Sequence, residues 1–265
     1  MTDERITINV EDGIADVRLD RGEKHNALDY PMFQALDGAT DELSARKDVR
    51  CVVLSGNGPS FCSGLDFPSF MSGGVGVDDM IEPTDGNVAN LVQRVSYDWL
   101  RLPMPVIAAL HGNVLGGGAQ IALGADIRIA APDTRISIME IRYGLIPDMG
   151  ISQALPLLVR QDAAKELTFS GRMVEGDEAL TLGLVTRIAD DPRAAALAMA
   201  REIAGRSPHA IRSAKQLLND AYRGRSEEAL ALEADLQRAL IGTPNQIAAV
   251  TATMSKQAGE FADPD

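Results

Sequence analysis

Glu140 has the sequence context of a proton carrier. It stands in Arg135-Ile-Ser-Ile-Met-Glu-Ile-Arg-Tyr-Gly144, among Ile138, Met139 and Ile141. A carboxylate in apolar company loses solvation, so its pKa rises toward the range useful to a general base. The same pattern allows a surface glutamate paired with Arg142. Proton abstraction beside a carbonyl also needs somewhere to hold the developing negative charge. Pro105 to Leu123 offers such a place, because Val106 to Leu110 reads as a buried strand and Gly116-Gly117-Gly118 opens a helix through Ala119 to Leu123. Amides at a helix start have no intrahelical acceptor, and the positive end of the dipole faces outward. Glycine there allows close approach to the backbone, although a plain strand-to-helix turn would use the same residues.

A second glycine-bearing turn follows another short buried strand, Cys51 to Gly56, in Asn57-Gly-Pro-Ser-Phe-Cys-Ser-Gly-Leu-Asp66. Two strands thus end in turns that can aim N–H groups at one point. Asp148 lies across the Gly144-Leu-Ile-Pro147 turn from Glu140, where an aspartate is either a turn residue or a second acid.

The elements that must position these groups alternate. Ile6 to Val10 and Ile14 to Leu19 form a hairpin around Asp12-Gly13. Pro31 to Leu43 is a helix with Met32, Leu36, Ala39 and Leu43 on one stripe and Asp29 as N-cap. Strand 50–55, helix 88–101, strand 105–110, helix 117–124 and strand 126–130 continue an α/β rhythm. Met71 to Gly86, rich in glycine and acids, reads as a mobile surface loop. Beyond Asp190 the segments 193–204, 208–222, 226–240 and 244–257 read as helices whose apolar stripes serve packing and subunit contact. The chain therefore divides into a core over 1–192 and a helical, oligomerising region over 193–265.

A chain of 265 residues with 45% hydrophobic content can bury a substantial core. No stretch of apolar residues is long enough to span a bilayer, and the first residues lack a signal peptide's apolar centre, which predicts a soluble cytoplasmic protein with no membrane partner. The net charge of −13 opposes nucleic-acid binding. Cys51 and Cys62 suggest neither a disulfide framework nor a metal site. Ser63 and His111 with an aspartate could build a serine hydrolase, but no G-x-S-x-G elbow is present. Gly116 to Gly118 lacks the G-x-G-x-x-G spacing of a nicotinamide enzyme.

Phe61-Cys-Ser-Gly-Leu-Asp66 followed by His111-Gly-Asn-Val-Leu-Gly-Gly-Gly118 resembles the paired signature of the enoyl-CoA hydratase/isomerase (crotonase) superfamily. Arg21-Gly-Glu-Lys-His-Asn-Ala-Leu28, Ala125-Asp-Ile-Arg-Ile-Ala130 and Gly144-Leu-Ile-Pro-Asp148 agree with it in order. The resemblance implies a spiral of repeated β-β-α turns with a C-terminal helical region. It implies an acyl-CoA thioester as substrate, coenzyme A entering as part of that substrate with no separate cofactor or metal, and a homotrimer or dimer of trimers. It places the oxyanion-binding amides at Leu65 and Gly117 and the catalytic glutamate at Glu140. Lys24, Ala27, Ser63 and Asp66 fall near the CoA, and Lys256 and Phe261 match C-terminal CoA contacts that can cross a subunit boundary. Segment 71–86 corresponds to the region that covers the acyl pocket.

One position departs from the hydratase pattern. Where related hydratases carry a second glutamate, this chain has Gln120, which can orient a group through its amide but cannot take up a proton. A lone glutamate resembles the enoyl-CoA isomerases, and this one-carboxylate scheme is the expectation. The Glu140 and Asp148 spacing resembles the dienoyl-CoA isomerases, although these carry an acid at the position of Gln120. A hydratase working with one glutamate and a noncatalytic CoA-binding protein are the alternatives.

Overall fold

The computed structural model describes residues 5–72, 78–82, 88–221 and 239–263. Strands β1 (Ile6–Glu11) and β2 (Ile14–Leu19) form the expected antiparallel hairpin, and β2 then pairs in parallel with β3 (Cys51–Gly56). The main sheet continues in parallel through β4 (Val106–Leu110), β6 (Ile127–Ala130) and β9 (Arg187–Ile188), in the order β1-β2-β3-β4-β6-β9. A smaller sheet contains β5 (Asn113–Leu115), β7 (Arg135–Ser137) and β8 (Val174–Glu175).

Each turn of the chain gives one strand to the large sheet, then one to the small sheet, then a helix. β4 is followed by β5 and α5 (Gly117–Leu123), and β6 is followed by β7. The turn that starts with β3 reaches the small sheet through a bridge between Cys62 and Val114. This is the crotonase spiral expected from the sequence.

The central strands are apolar throughout because both of their faces are covered. Val52, Leu54, Val106, Ala108 and Leu110 face the larger core, which includes Met32, Leu36 and Leu43 of α1 (Tyr30–Ala45) and Trp99 of α4 (Leu91–Arg101). Cys51, Val53, Ile107 and Ala109 face the other way, against Ala196, Ala200 and Ala204 of α9 (Pro192–Ala204). Alternate side chains of a strand point to opposite faces, so two cores share one sheet.

Asp29 caps α1 by accepting the Met32 N–H at 3.0 Å. Helix α4 begins at Leu91 rather than 88, because Asn90 and Gln93 close a capping box there. Helical turn α2 (Phe67–Met71) ends where the segment read as a loop begins, and that segment contains a second helical turn, α3 (Asp78–Ile81), whose Met80 is buried in the larger core. Packing of the Met80 side chain into the core beside α4 anchors this turn. Residues 73–77 and 83–87 of that segment, and most of the helix read at 226–240, lie outside the described residues.

Of the remaining helices, α6 (Leu155–Leu158), α7 (Gln161–Ser170) and α8 (Gly176–Leu182) follow β7 and precede β9, and α10 (Pro208–Ala221) and α11 (Pro244–Ser255) follow α9. Lys215 of α10 is buried, and its ammonium donates to Asp126 at 2.7 Å and to the Met104 carbonyl at 2.9 Å. No helix among the described residues is long and apolar enough to cross a membrane.

Candidate active site

The glycine turns after β3 and β5 meet at one cavity of about 500 Å³. Gly64, Leu65, Gly116 and Gly117 line it, together with Ser63, Gln120, Glu140 and Asp148. Parallel strands end on the same side of a sheet, so turns distant in sequence converge there. Leu28 donates its N–H to the Gly64 carbonyl at 2.8 Å, and Asp66 donates to the Leu28 carbonyl at 2.9 Å, which leaves the intervening Leu65 amide without a backbone acceptor. Gly117 is the first residue of α5, so its N–H has no intrahelical acceptor either. Two free amides beside one cavity can hold a developing oxyanion.

Asn26 holds the first of these turns. It was not singled out from the sequence, yet its side-chain amide nitrogen lies within hydrogen-bonding distance of the Asn57, Ser60 and Phe61 carbonyls at 2.9 to 3.0 Å. Its own carbonyl accepts from the Cys62 thiol at 3.1 Å. The left-handed conformation at this position, φ 54, is one that asparagine tolerates better than most side chains. Arg21 was also missed. It donates to Asp66 at 2.7 Å and to the Ala27 carbonyl at 2.9 Å.

Glu140 begins a 3-10 turn directly after β7. Its Oε1 accepts from the Gln120 side-chain amide at 2.7 Å, and its Oε2 is buried with no hydrogen-bond partner. Burial raises the Glu140 carboxyl above its ordinary value and the charge of Asp148 adds to this, while the Glu140 N–H, the Gln120 amide and the Met139 N–H oppose it. Burial also raises Asp148. The alternative of a surface pair with Arg142 is not formed: the side-chain partner of Glu140 is Gln120. Two carboxyls with raised affinity for protons therefore share a cavity that also offers two free amides.

The other predicted positions fall outside the cavity lining. Ala27 and Asp66 stand beside it through the Leu28 and Gly64 pairing, and Lys24 is exposed on a neighbouring 3-10 turn. Burial raises Asp66, but bonds from Arg21 and the Ser69 N–H, with the charges of Arg21 and Lys24, hold its carboxyl below the ordinary value. The Phe61-to-Asp66 turn thus ends in a carboxylate that caps α2. Lys256 and Phe261 are not brought to this cavity within one chain. The Phe261 carbonyl accepts from Arg50 at 2.8 Å, where the chain enters β3, whereas the cavity is built from turns that follow the strands.

Ser63 lines the cavity, but the His111 Nε2 is engaged with the Gly58 carbonyl at 2.9 Å. His111 is not among the lining residues, so no serine-histidine pair is assembled there. Both free thiols are buried, and desolvation pushes Cys51 and Cys62 up to about 12, which makes them inert.

The enoyl-CoA hydratase/isomerase family profile matches residues 9–263. A Delta(3,5)-Delta(2,4)-dienoyl-CoA isomerase of Mus musculus is 33% identical over 255 residues, covering 91% of this chain and 76% of that protein. A methylglutaconyl-CoA hydratase of the same organism is 31% identical over 252 residues, covering 92% and 78%. The crystal structure of an enoyl-CoA hydratase from Bacillus anthracis superposes with a TM-score of 0.88 at 26% identity, covering 97% of this chain and 98% of that one. The glycine-turn geometry and the match along nearly the whole chain agree, and the protein belongs to the enoyl-CoA hydratase/isomerase family.

Proposed function

We propose that this enzyme relocates double bonds in an unsaturated acyl-CoA, moving a proton from the carbon beside the thioester to a distal carbon. The observation that carries this reading is the composition of the proton-handling set: Glu140 and Asp148 line one cavity with raised proton affinity, while position 120 holds an amide. The amides of Leu65 and Gly117 would hold the thioester oxygen. Glu140 would take the proton next to the thioester as the C–H electron pair moves into the enolate. A proton then returns at the far end of the conjugated system. Asp148 is the group for that second transfer, so its position favours two carboxylates over the one-carboxylate scheme. The likeness to dienoyl-CoA isomerases supports the same choice.

The acyl group this cavity suits is uncharged. Phe33, Phe67, Phe70, Met80, Ile81 and Val92 are among its walls, and no lysine, arginine or histidine lines it among the described residues. The segment from Phe67 to Gln93 contains no basic residue and carries Asp78, Asp79, Glu82 and Asp85. Coenzyme A would arrive as part of the substrate, with Lys24, Ala27, Ser63 and Asp66 near it. Exposed Tyr143, Leu145 and Ile146 at the mouth, the last 75% exposed, suit coverage by a neighbouring subunit in a trimer or paired trimers, which could also bring Lys256 and Phe261 to a site.

The deciding experiment offers the purified enzyme 3-enoyl-, 2-enoyl- and 3,5-dienoyl-CoA thioesters and identifies the products. Conversion of 3,5-dienoyl to 2,4-dienoyl thioester is the expected result. Hydration of crotonyl-CoA at a rate comparable with its best isomerisation would overturn it, favouring the single-glutamate hydratase that the likeness to methylglutaconyl-CoA hydratase keeps as a second reading.

A further inference from the structure

Gln120 is 1% exposed, and both ends of its side-chain amide are engaged. Its oxygen accepts the Met149 N–H at 2.8 Å, and its nitrogen donates to Glu140 Oε1 at 2.7 Å. The backbone amide of Met149 can only donate, so the oxygen must face Met149 and the NH₂ must face the carboxylate. A flipped amide would set donor against donor and oxygen against carboxylate. The helix bearing Gln120 is held as well, since Ser96 Oγ donates to the Gln120 carbonyl at 2.6 Å. The left-handed φ of +53 at Gly116 favours glycine, and a Cβ there would make ordinary contact with Glu140 Oε1 at 3.5 Å.

We infer that Gln120 is a positioning residue that clamps Glu140 through Oε1 and the Asp148-Met149 segment through the Met149 amide, so that the Glu140 carboxylate is held in one orientation beside the cavity. The inference rests on Glu140 being the base of the proposed reaction. Oε2 is buried with no side-chain partner, so the Gln120 amide is the side-chain contact that fixes the orientation of the carboxylate, beside the Glu140 and Met139 N–H groups. In the transfer, a lone pair of the Glu140 carboxylate takes the proton while the C–H electron pair enters the enolate; the O–H bond of Asp148 then breaks as a C–H bond forms at the far carbon, and the two carboxyls restore their proton balance by exchange with solvent. No electron acceptor or co-reactant is needed. A glutamate at 120 could still accept from Met149 but would present a second oxygen to Oε1, so the amide is what this geometry requires.

The test measures the pH dependence of α-proton exchange of an acyl-CoA in heavy water, with kcat and KM, for Gln120→Met and Gln120→Glu. Asp148 and Tyr143 are the other titratable groups lining the cavity among the described residues, and neither is altered. Gln120→Met is expected to keep KM and lower kcat by about 10²-fold, the scale of a misplaced base. Its acid limb should move to higher pH, since the donor to the carboxylate is gone. Gln120→Glu should move the limb up as well, through like charge. A stably folded Gln120→Met protein with wild-type kcat and acid limb would overturn the inference. If Gln120→Met does not fold, a wild-type limb in Gln120→Glu overturns it. In the 15N-labelled wild type the Gln120 side-chain amide protons should shift with the acid limb, and shifts that ignore it count against the clamp. Wild-type enzyme that exchanges α-protons but forms no isomer would sink the proposed function and leave the clamp standing on its own profile.

Discussion

Gly64 and Gly117 meet backbone to backbone at the cavity. A Cβ on Gly64 would lie 3.7 Å from the Gly117 nitrogen and 2.7 Å from the Leu115 carbonyl oxygen, and Gly64 has a φ of +87. Two amides can converge on one oxygen only if nothing larger than hydrogen stands at this crossing.

Gly64→Ala is therefore expected to lose catalysis more than stability. Left-handed backbone strain on alanine is about 1–2 kcal/mol, whereas displacing one oxyanion donor lowers turnover about 10²–10³-fold. Turnover measured beside a thermal melt checks this; wild-type kcat in a folded variant would remove the Gly64 turn from oxyanion binding.

Glu140→Gln should lower turnover at least about 10²-fold, the scale of a lost general base. It should also stabilise the protein at neutral pH. Burial raises the folded-state pKa of Glu140, so stability associated with its protonated form is present at low pH and lost as pH rises through that raised value. Denaturation curves should show the variant ahead at pH 7, with the gap closing as pH falls below about 4, where the unfolded glutamate is protonated as well. An unchanged gap across that range would mean that Glu140 does not titrate as proposed.

Asp148→Asn separates the two-carboxylate scheme from the single-carboxylate one. Turnover of 3,5-dienoyl thioester should fall sharply, while α-proton exchange at the Glu140 end persists. Equal retention of both activities would assign Asp148 to shaping the turn and return both transfers to Glu140.

Charge at the acyl terminus should be penalised. The cavity's apolar walls, with no lysine, arginine or histidine lining it among the described residues, offer a carboxylated tail no counter-charge, and burying an unpaired charge costs several kcal/mol. Glutaconyl-CoA should therefore compete far less well than the pentenoyl-CoA of equal chain length, measured as inhibition of the same reaction. Equal inhibition would require a cation that reaches the acyl end from elsewhere in the assembly.

Lys215→Met tests how α10 is anchored. Lys215 is 7% exposed and its partner Asp126 also accepts the Val106 N–H at 2.7 Å. Removing one partner of a buried pair costs about 3–5 kcal/mol, because the other charge is left uncompensated. The urea midpoint should fall accordingly, and an unchanged midpoint would show that the pair adds nothing.

Read alone, the chain determined those features that depend on near neighbours. Apolar runs marked β3 and β4, the Asp29 cap marked the start of α1, and Glu140 was identified by its own apolar flanks. Gly64 and Gly116 to Gly118 were legible because a turn's backbone demands are written in the residues of that turn. The amide at position 120 was visible as a departure, since residue type alone shows whether a side chain can take up a proton.

Only the tertiary structure decided what depends on residues far apart in sequence. Asn26 reaching the carbonyls of residues 57, 60 and 61, and Arg21 reaching Asp66, have no periodicity to announce them. The burial of Met80 within an acid- and glycine-rich stretch came from packing on α4, not from local propensity. Lys256 and Phe261 were matched by order along the chain, yet Phe261 is tied to Arg50 at the opposite end of β3. The direction of the Gln120 amide was likewise undetermined until Met149 and Glu140 were seen on its two sides. Hydrogen-bond direction and the raised proton affinity of two carboxyls are set by what surrounds a group in three dimensions, and a sequence orders residues without stating those surroundings.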